Sequence, residues 1–177
     1  MKTIVMSLGG SVIVPDKVDV KFLKNFKKLI DRFLGKGYRF ILICGGGKLA
    51  RDYQKAASAV TKQSNEYLDW LGIHATKMNA WFMKSVFGKD AEKFIVDDPT
   101  KKVNFSRKIL IAGGWKPGWS TDYDAILLAK NFGAKTVVNM SNIDYLYDKD
   151  PKKFKKAKKI KCMCWKHFRK LIGNKWK

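Results

Sequence analysis

The chain has 177 residues, 46% of them hydrophobic, and carries 37 lysine and arginine residues against 15 aspartate and glutamate, a formal net charge of +22. One domain with a sizeable core is the expectation, the charge implies attraction to anionic substrates or polyanions, and no window reaches the ~18 uninterrupted apolar residues of a membrane span. Three cysteines without a CxxC spacing argue against a disulfide framework, give Cys162-x-Cys164 beside His167 little weight as a zinc site, and fit a reduced, cytoplasmic setting.

In chain order, TIVMSLGGS (3–11) is an apolar run closed by Gly9 and Gly10. It predicts a first strand over about 3–8 and lacks the cleavage pattern of a signal peptide. In VDVKFLKNFKKLIDRFL, Phe22, Phe26, Leu29, Ile30 and Phe33 recur at helical spacing, with lysines opposite, until Gly35 and Gly37 stop the helix. FILICGGGKLARDY (40–53) predicts a second strand over about 39–44 and a helix from near Lys48. It is not a P-loop: Leu42 stands where the first glycine of GxxxxGK[ST] belongs, and Leu49 follows Lys48. Three adjacent glycines serve either a tight turn that needs φ > 0 or the close approach of backbone N–H groups to a phosphate, and this turn alone does not choose between them.

NEYLDWLGIHATKMNAWFMKSVF reads as a long helix with an apolar stripe of Leu68, Leu71, Ala75, Met78 and Phe82. Beside it runs a stripe of Asp69, Gly72, Thr76 and Asn79, which faces either a cleft or solvent. EKFIVDD (92–98) is a short strand, and KILIA (108–112) is another, running into Gly113 and Gly114. GGWKPGWSTDYDAILLAKNFG is a loop holding Pro117 and then a helix with good capping chemistry in STD. TVVNM (136–140) is a strand, SNIDYLYDKDP a turn-rich segment, and CWKHFRKLIG a last short helix. KDPKKFKKAKKIK (149–161) holds eight lysines but lacks the interleaved aromatics of a single-strand platform, so it reads as solvated surface and not as a nucleic-acid patch.

The order β-α-β-α-α-β-β-α-β is an α/β pattern with a largely parallel sheet. Three strands end in a glycine pair or triplet. As parallel neighbours they would place all three turns on the edge where open α/β sheets bind ligands, a site suited to several phosphates.

GGGKLAR, DWLGIHATKMNA, GGWKPGWSTD and SNIDYLYDKDP stand in the order used by the amino-acid kinase superfamily, and over about residues 3–177 the chain resembles its archaeal and bacterial uridylate (UMP) kinases. The resemblance implies a three-layer αβα sandwich around an open, mostly parallel sheet. It implies a single kinase domain, with about 1–107 forming the acceptor half and about 108–177 an ATP half. The implied reaction is direct in-line transfer of the ATP γ-phosphoryl group to UMP with Mg²⁺, in which catalysis is mainly positioning and charge neutralisation. On that resemblance Gly46, Arg51, Asp69, Gly114 and Thr121 contact UMP, Arg51 by clamping its phosphate and Asp69 by accepting from its ribose hydroxyls. Gly9, Gly10, Gly47, Ser141, Tyr147 and Asp150 contact ATP, and Asp122 orients catalytic cations. Without the resemblance, Arg51 reads as a surface residue, Asp122 as a first-turn helix residue favoured by the macrodipole, and Asp148-Lys-Asp150-Pro as ordinary turn composition. Trp115 and Trp119 either cover the base or meet a neighbouring subunit. A homo-oligomer of the hexameric kind is implied, and Trp70, Trp81 and Phe82 would suit its dimer face.

Two features depart from the family pattern. Many members carry a lysine in K-x-G-G at the end of the first strand, where this chain has Ser7; Lys48, on the same sheet edge, is the expected replacement. Members also continue past the segment that GNKWK resembles, so the chain is expected to be C-terminally truncated, lacking the last strands and helices of the ATP half. The competing readings are a sister phosphotransferase acting on isopentenyl phosphate or acetylglutamate, and a non-catalytic, basic nucleic-acid-binding protein. Cys44 beside the glycines, where isopentenyl phosphate kinases typically carry histidine, together with Arg51 and Asp69, favours a nucleotide acceptor.

Overall fold

Five apolar runs form one parallel sheet in the computed structural model of the chain, which describes residues 2–143, 145–151 and 153–172. The strands are β1 (Lys2–Leu8), β2 (Tyr38–Cys44), β3 (Ala91–Val96), β4 (Ile109–Ala112) and β5 (Val137–Met140), in the spatial order β3-β4-β2-β1-β5. The helices between them are α1 (Gly10–Ile13), α2 (Val20–Leu34), α3 (Gly47–Val60), α4 (Asn65–Phe87) and α5 (Thr121–Asn131), with a 3₁₀ turn at Gly88–Asp90.

Side-chain alternation along the strands splits the core in two. Met6, Leu8, Phe40, Leu42, Cys44, Ile109 and Ile111 point to one face, where Leu23, Phe26 and Ile30 of α2 and Ala80, Met83 and Phe87 of α4 cover them. Val5, Ile41, Ile43, Leu110 and Ala112 point to the other, under Ala125, Leu128 and Ala129 of α5. Strands buried on both faces read as continuous apolar runs, which is why FILIC and KILIA read as strands in the sequence. The result is the three-layer αβα arrangement expected. Burial also lifts the Cys44 thiol to about 12 and leaves it inert.

The helix ends obey their caps. Asp19 accepts from Phe22 N at 2.9 Å, Ser64 from Tyr67 N at 3.3 Å and Ser120 from Tyr123 N at 3.2 Å. One stripe is corrected. On α4 the buried residues are Ile73, Ala75, Thr76, Asn79, Ala80, Met83 and Phe87, whereas Met78 is 63% exposed. The helix is rotated from the expected apolar stripe because Thr76 and Asn79 go inside, held by hydrogen bonds to the glycine turns.

The chain divides into two compact units, Met1–Asn142 and Ile143–Lys177. The second holds the antiparallel pair β6 (Leu146–Tyr147) and β7 (Lys159–Ile160) and helix α6 (Trp165–Ile172). Its turn is tied by Asp148 Oδ1 accepting from Lys158 N at 2.7 Å and by Asp150 O accepting from Phe154 N at 2.9 Å. The terminal segment 173–177 lies outside the described residues.

Candidate functional site

Because β1, β2 and β4 are parallel neighbours, Gly9–Gly10, Gly45–Gly47 and Gly113–Gly114 all emerge on one edge of the sheet. The first two turns interlock backbone against backbone. A Cβ on Gly10 would overlap the amide N and Cα of Gly47, and one on Gly45 would stand 2.6 Å from Gly10 N. Gly47 sits at φ +64°, in the left-handed region glycine enters at little cost. Gly45 N donates to Leu8 O at 2.8 Å, and Asn79 Nδ2 donates to Gly45 O at 2.7 Å and Gly46 O at 3.2 Å. Gly9 N bonds Met140 O at 2.8 Å, which brings Gly9 beside Ser141 at the end of β5.

The third glycine turn is built differently. Its amides are already used by side chains: Gly114 N donates to Thr76 Oγ1 at 2.6 Å, Trp115 N to Asp124 Oδ2 at 3.2 Å, and Gly118 N to Asp69 Oδ2 at 2.7 Å. A Cβ on Gly114 would meet Thr76 Oγ1 at 3.1 Å, so this glycine gives room for the tie to α4.

Between this loop and helices α3 and α4 lies a cavity of about 330 Å³. Its floor is Gly46 and Gly47. Arg51 and Gln54 of α3 form one wall, and Asp69, Gly72 and Thr76 of α4 form a second. Gly114, Lys116, Trp119, Ser120 and Thr121 close the third. All five residues expected at the acceptor, Gly46, Arg51, Asp69, Gly114 and Thr121, therefore line one cavity, and Gly47 joins them. The small-polar stripe of α4 supplies three lining residues, with Asn79 buried behind them. α5 starts at the cavity with Ser120 as its cap, so the N–H groups of Thr121 and Asp122 have no intrahelical carbonyl to bond. A cation, a partly bonded carboxylate and a helix N-terminus converge there, a combination suited to an anionic, hydroxyl-bearing ligand.

Other expected residues fall elsewhere. Asp122 lies outside the cavity lining and accepts from Ser7 Oγ at 2.6 Å, so the residue at the family's lysine position binds the acid directly. Lys48 is also outside the lining: its ammonium pairs with Asp52 at 2.7 Å and Asp16 at 3.6 Å. The hydrogen bond to Asp52 raises its pKa. Tyr147 and Asp150 belong to the second unit, whereas Ser141 belongs to the first. Of the three aromatics expected to suit a dimer face, Phe82 packs against the core while Trp70 and Trp81 are exposed.

A family profile described as the amino acid kinase family matches residues 2–176. The chain belongs to the amino acid kinase family. Among its relatives, the uridylate kinase of Thermococcus sibiricus is 38% identical over 159 residues, covering 89% of this chain and 70% of that protein. The uridylate kinase of Thermoplasma acidophilum is 36% identical over 161 residues, covering 90% and 69%. The crystal structure of uridylate kinase from Archaeoglobus fulgidus superposes with a TM-score of 0.76 at 33% identity, over 89% of this chain and 71% of that one. UMP kinase from Ureaplasma parvum, at 17% identity and a TM-score of 0.77, shares the fold. Three residues in and near this cavity gave no sign of their contacts in the sequence. Lys116 is one of 37 basic residues, Ser7 lies 115 positions from Asp122, and Asp124 looks like any acid in a first helical turn.

Proposed function

We propose that the chain acts as a UMP kinase, transferring the γ-phosphoryl group of Mg-ATP to UMP to give UDP and ADP by direct in-line displacement, in pyrimidine nucleotide biosynthesis. The observation that carries this reading is the convergence of Arg51, Asp69 and the α5 N-terminus on one cavity of about 330 Å³. Arg51 clamps the acceptor phosphate bidentately. Asp69 keeps Oδ1 for the ribose hydroxyls while Oδ2 holds Gly118 N. Thr121 meets the phosphate at the helix N-terminus, and Gly46 and Gly114 let the ligand approach the backbone. About residues 1–107 form the acceptor half and about 108–177 the ATP half, with the 113–121 loop reaching back as the third wall of the cavity.

Gly9, Gly10, Gly47, Ser141, Tyr147 and Asp150 serve the ATP side in this reading. Asp122, fixed by Ser7, orients the cations that neutralise the transferring group. Lys48 is the proposed cation, and for that role its ammonium must leave Asp52 and Asp16. Among the described residues no three His, Cys, Asp or Glu side chains gather to hold a metal. In this reading Mg²⁺ would accompany ATP and supply charge neutralisation at the transferring group. A cytoplasmic homo-oligomer of the hexameric kind accompanies the reading; exposed Tyr67, Trp70, Met78 and Trp81 on α4 support a subunit contact there. Among the described residues no helix is long and apolar enough to cross a membrane.

The test is a coupled assay of UDP formation on this chain with Mg-ATP. Turnover with UMP, and none with isopentenyl phosphate or acetylglutamate, is the expected result. No UDP at saturating substrates overturns the reading.

A further inference from the structure

Among the described residues two carboxylates are buried, and they are treated in opposite ways. Glu92, 8% exposed, accepts three amide N–H bonds, from Lys93 at 3.1 Å, Ser106 at 3.0 Å and Arg107 at 3.2 Å. Those bonds hold its pKa below the ordinary value, as befits a charge that stabilises the fold. Asp124 is 0% exposed, accepts one bond, from Trp115 N at 3.2 Å, and leaves Oδ1 without a partner. Burial lifts its pKa to about 6. A half-satisfied buried carboxyl costs stability, so packing does not explain it.

Its single bond lands on the loop that walls the acceptor cavity. Trp115 packs on Trp119 with ring centroids 5.1 Å apart, and Trp119 on Tyr123 at 4.7 Å. Lys116 Nζ lies 4.0 Å from the Trp115 ring centroid and 5.0 Å from that of Trp119. Trp119 and Lys116 both line the cavity, and Lys116 and Arg51 are its two cationic lining residues. The backbone of Trp115 thus sets where an indole and an ammonium stand.

We propose that Asp124 is a positioning residue for the acceptor site: by accepting the Trp115 N–H it fixes the indole pair, and through it the Lys116 ammonium, against the cavity that takes an anionic nucleotide. The proposal rests on the acceptor reading of that cavity and extends it with two further residues. Lys116 supplies a second positive charge opposite Arg51, and Trp119 an aromatic surface beside it. Asp69 and Thr76 hold the loop from α4, whereas Asp124 holds it from α5, the helix whose first turn also presents Thr121 and Asp122.

The test uses the full chain in three forms: wild type, Asp124→Val and Asp124→Asn. Valine removes the acceptor at similar size, while asparagine keeps an oxygen for Trp115 N–H and removes the charge. Hydrogen exchange of the 113–120 segment reads the positioning without any ligand. The expected result is exchange at least about 10-fold faster in Asp124→Val than in wild type, and near wild type in Asp124→Asn. Kinetics read the consequence: KM for UMP rises about 10-fold in Asp124→Val, KM for Mg-ATP stays within about 2-fold, and Asp124→Asn recovers most of the loss. Unchanged exchange in Asp124→Val overturns the proposal. Faster exchange with unchanged KM for UMP overturns its link to the acceptor. A wild-type chain that shows no UMP binding, with exchange still accelerated only by valine, leaves Asp124 as the loop's anchor and sinks the acceptor reading instead.

Discussion

The Gly45–Gly47 turn and the Gly113–Gly118 loop share a sequence signature and a sheet edge, yet glycine is needed in them for different reasons. In the first, backbone meets backbone: Gly10 and Gly47 are in direct contact, and no side chain fits between them. In the second, backbone meets side chain: the amides of Gly114, Trp115 and Gly118 are bonded to Thr76, Asp124 and Asp69. A glycine-rich strand end is therefore not by itself a set of free phosphate-binding amides. In this chain the first turn pins two strand ends together backbone to backbone, and the second is a wall whose shape is set by α4 and α5.

The most damaging way to break that contrast is Gly10→Ala, whose Cβ would collide with the Gly47 backbone. It is expected to cost more than about 3 kcal/mol and to leave little folded chain in a urea titration. Gly114→Ala, facing a side-chain oxygen at 3.1 Å, is expected to cost nearer 1 kcal/mol and to fold. Equal losses at the two positions would erase the distinction.

A second, smaller effect concerns Asp124 and pH. Its folded pKa of about 6 lies above the ordinary carboxylate value of 3.8, so the folded state holds the proton that the unfolded state releases. Its contribution is fully present below about pH 4 and is lost as pH rises to about 6, a change of about 3 kcal/mol at 1.36 kcal/mol per unit. Glu92 and Asp98, with lowered values, act in the other direction. The difference in stability between wild type and Asp124→Asn isolates the contribution of this carboxyl: relative to the variant, wild type should gain stability from pH 7 to pH 5 in urea titrations. A constant difference across that range contradicts the buried charge.

Two hydrogen-bond deletions sharpen the contrast further. Asn79→Ala removes the donor to the Gly45 and Gly46 carbonyls and should cost about 2 kcal/mol, while Thr76→Val removes one acceptor for Gly114 N and should cost about 1 kcal/mol. Both are read by urea midpoint, and the reverse order would say that the wall, not the pin, is the stiffer element. Least affected in stability is Lys48→Ala, since its i,i+4 pair with Asp52 is solvent-screened and contributes little to folding. Its turnover decides whether Lys48 replaces the family's lysine: wild-type turnover with UMP binding intact ends that assignment.

The sheet was legible because strands buried on both faces are continuous apolar runs that stop at glycines, and the cap residues of α2, α4 and α5 obey local chemistry. The residues expected at the acceptor came from resemblance, and of the two faces the sequence left open for the small-polar stripe of α4, cleft or solvent, the cavity takes Asp69, Gly72 and Thr76. The apolar stripe of α4 misled because Thr76 and Asn79 are buried with bonds to residues 33 to 38 positions away, so polarity did not mark the outer face. The Ser7–Asp122 bond is likewise a long-range consequence of folding, and the Asp124 anchor, though only nine positions from Trp115, is visible only once the loop folds back on α5.

The most direct measurement of the central claim is a calorimetric titration of UMP into this chain and into Arg51→Ala. Saturable binding to the wild-type chain, weakened at least about 10-fold by the substitution, is the predicted result. No binding to the folded wild-type chain, or equal affinity for the two, would contradict an acceptor site built on Arg51, Asp69 and the start of α5.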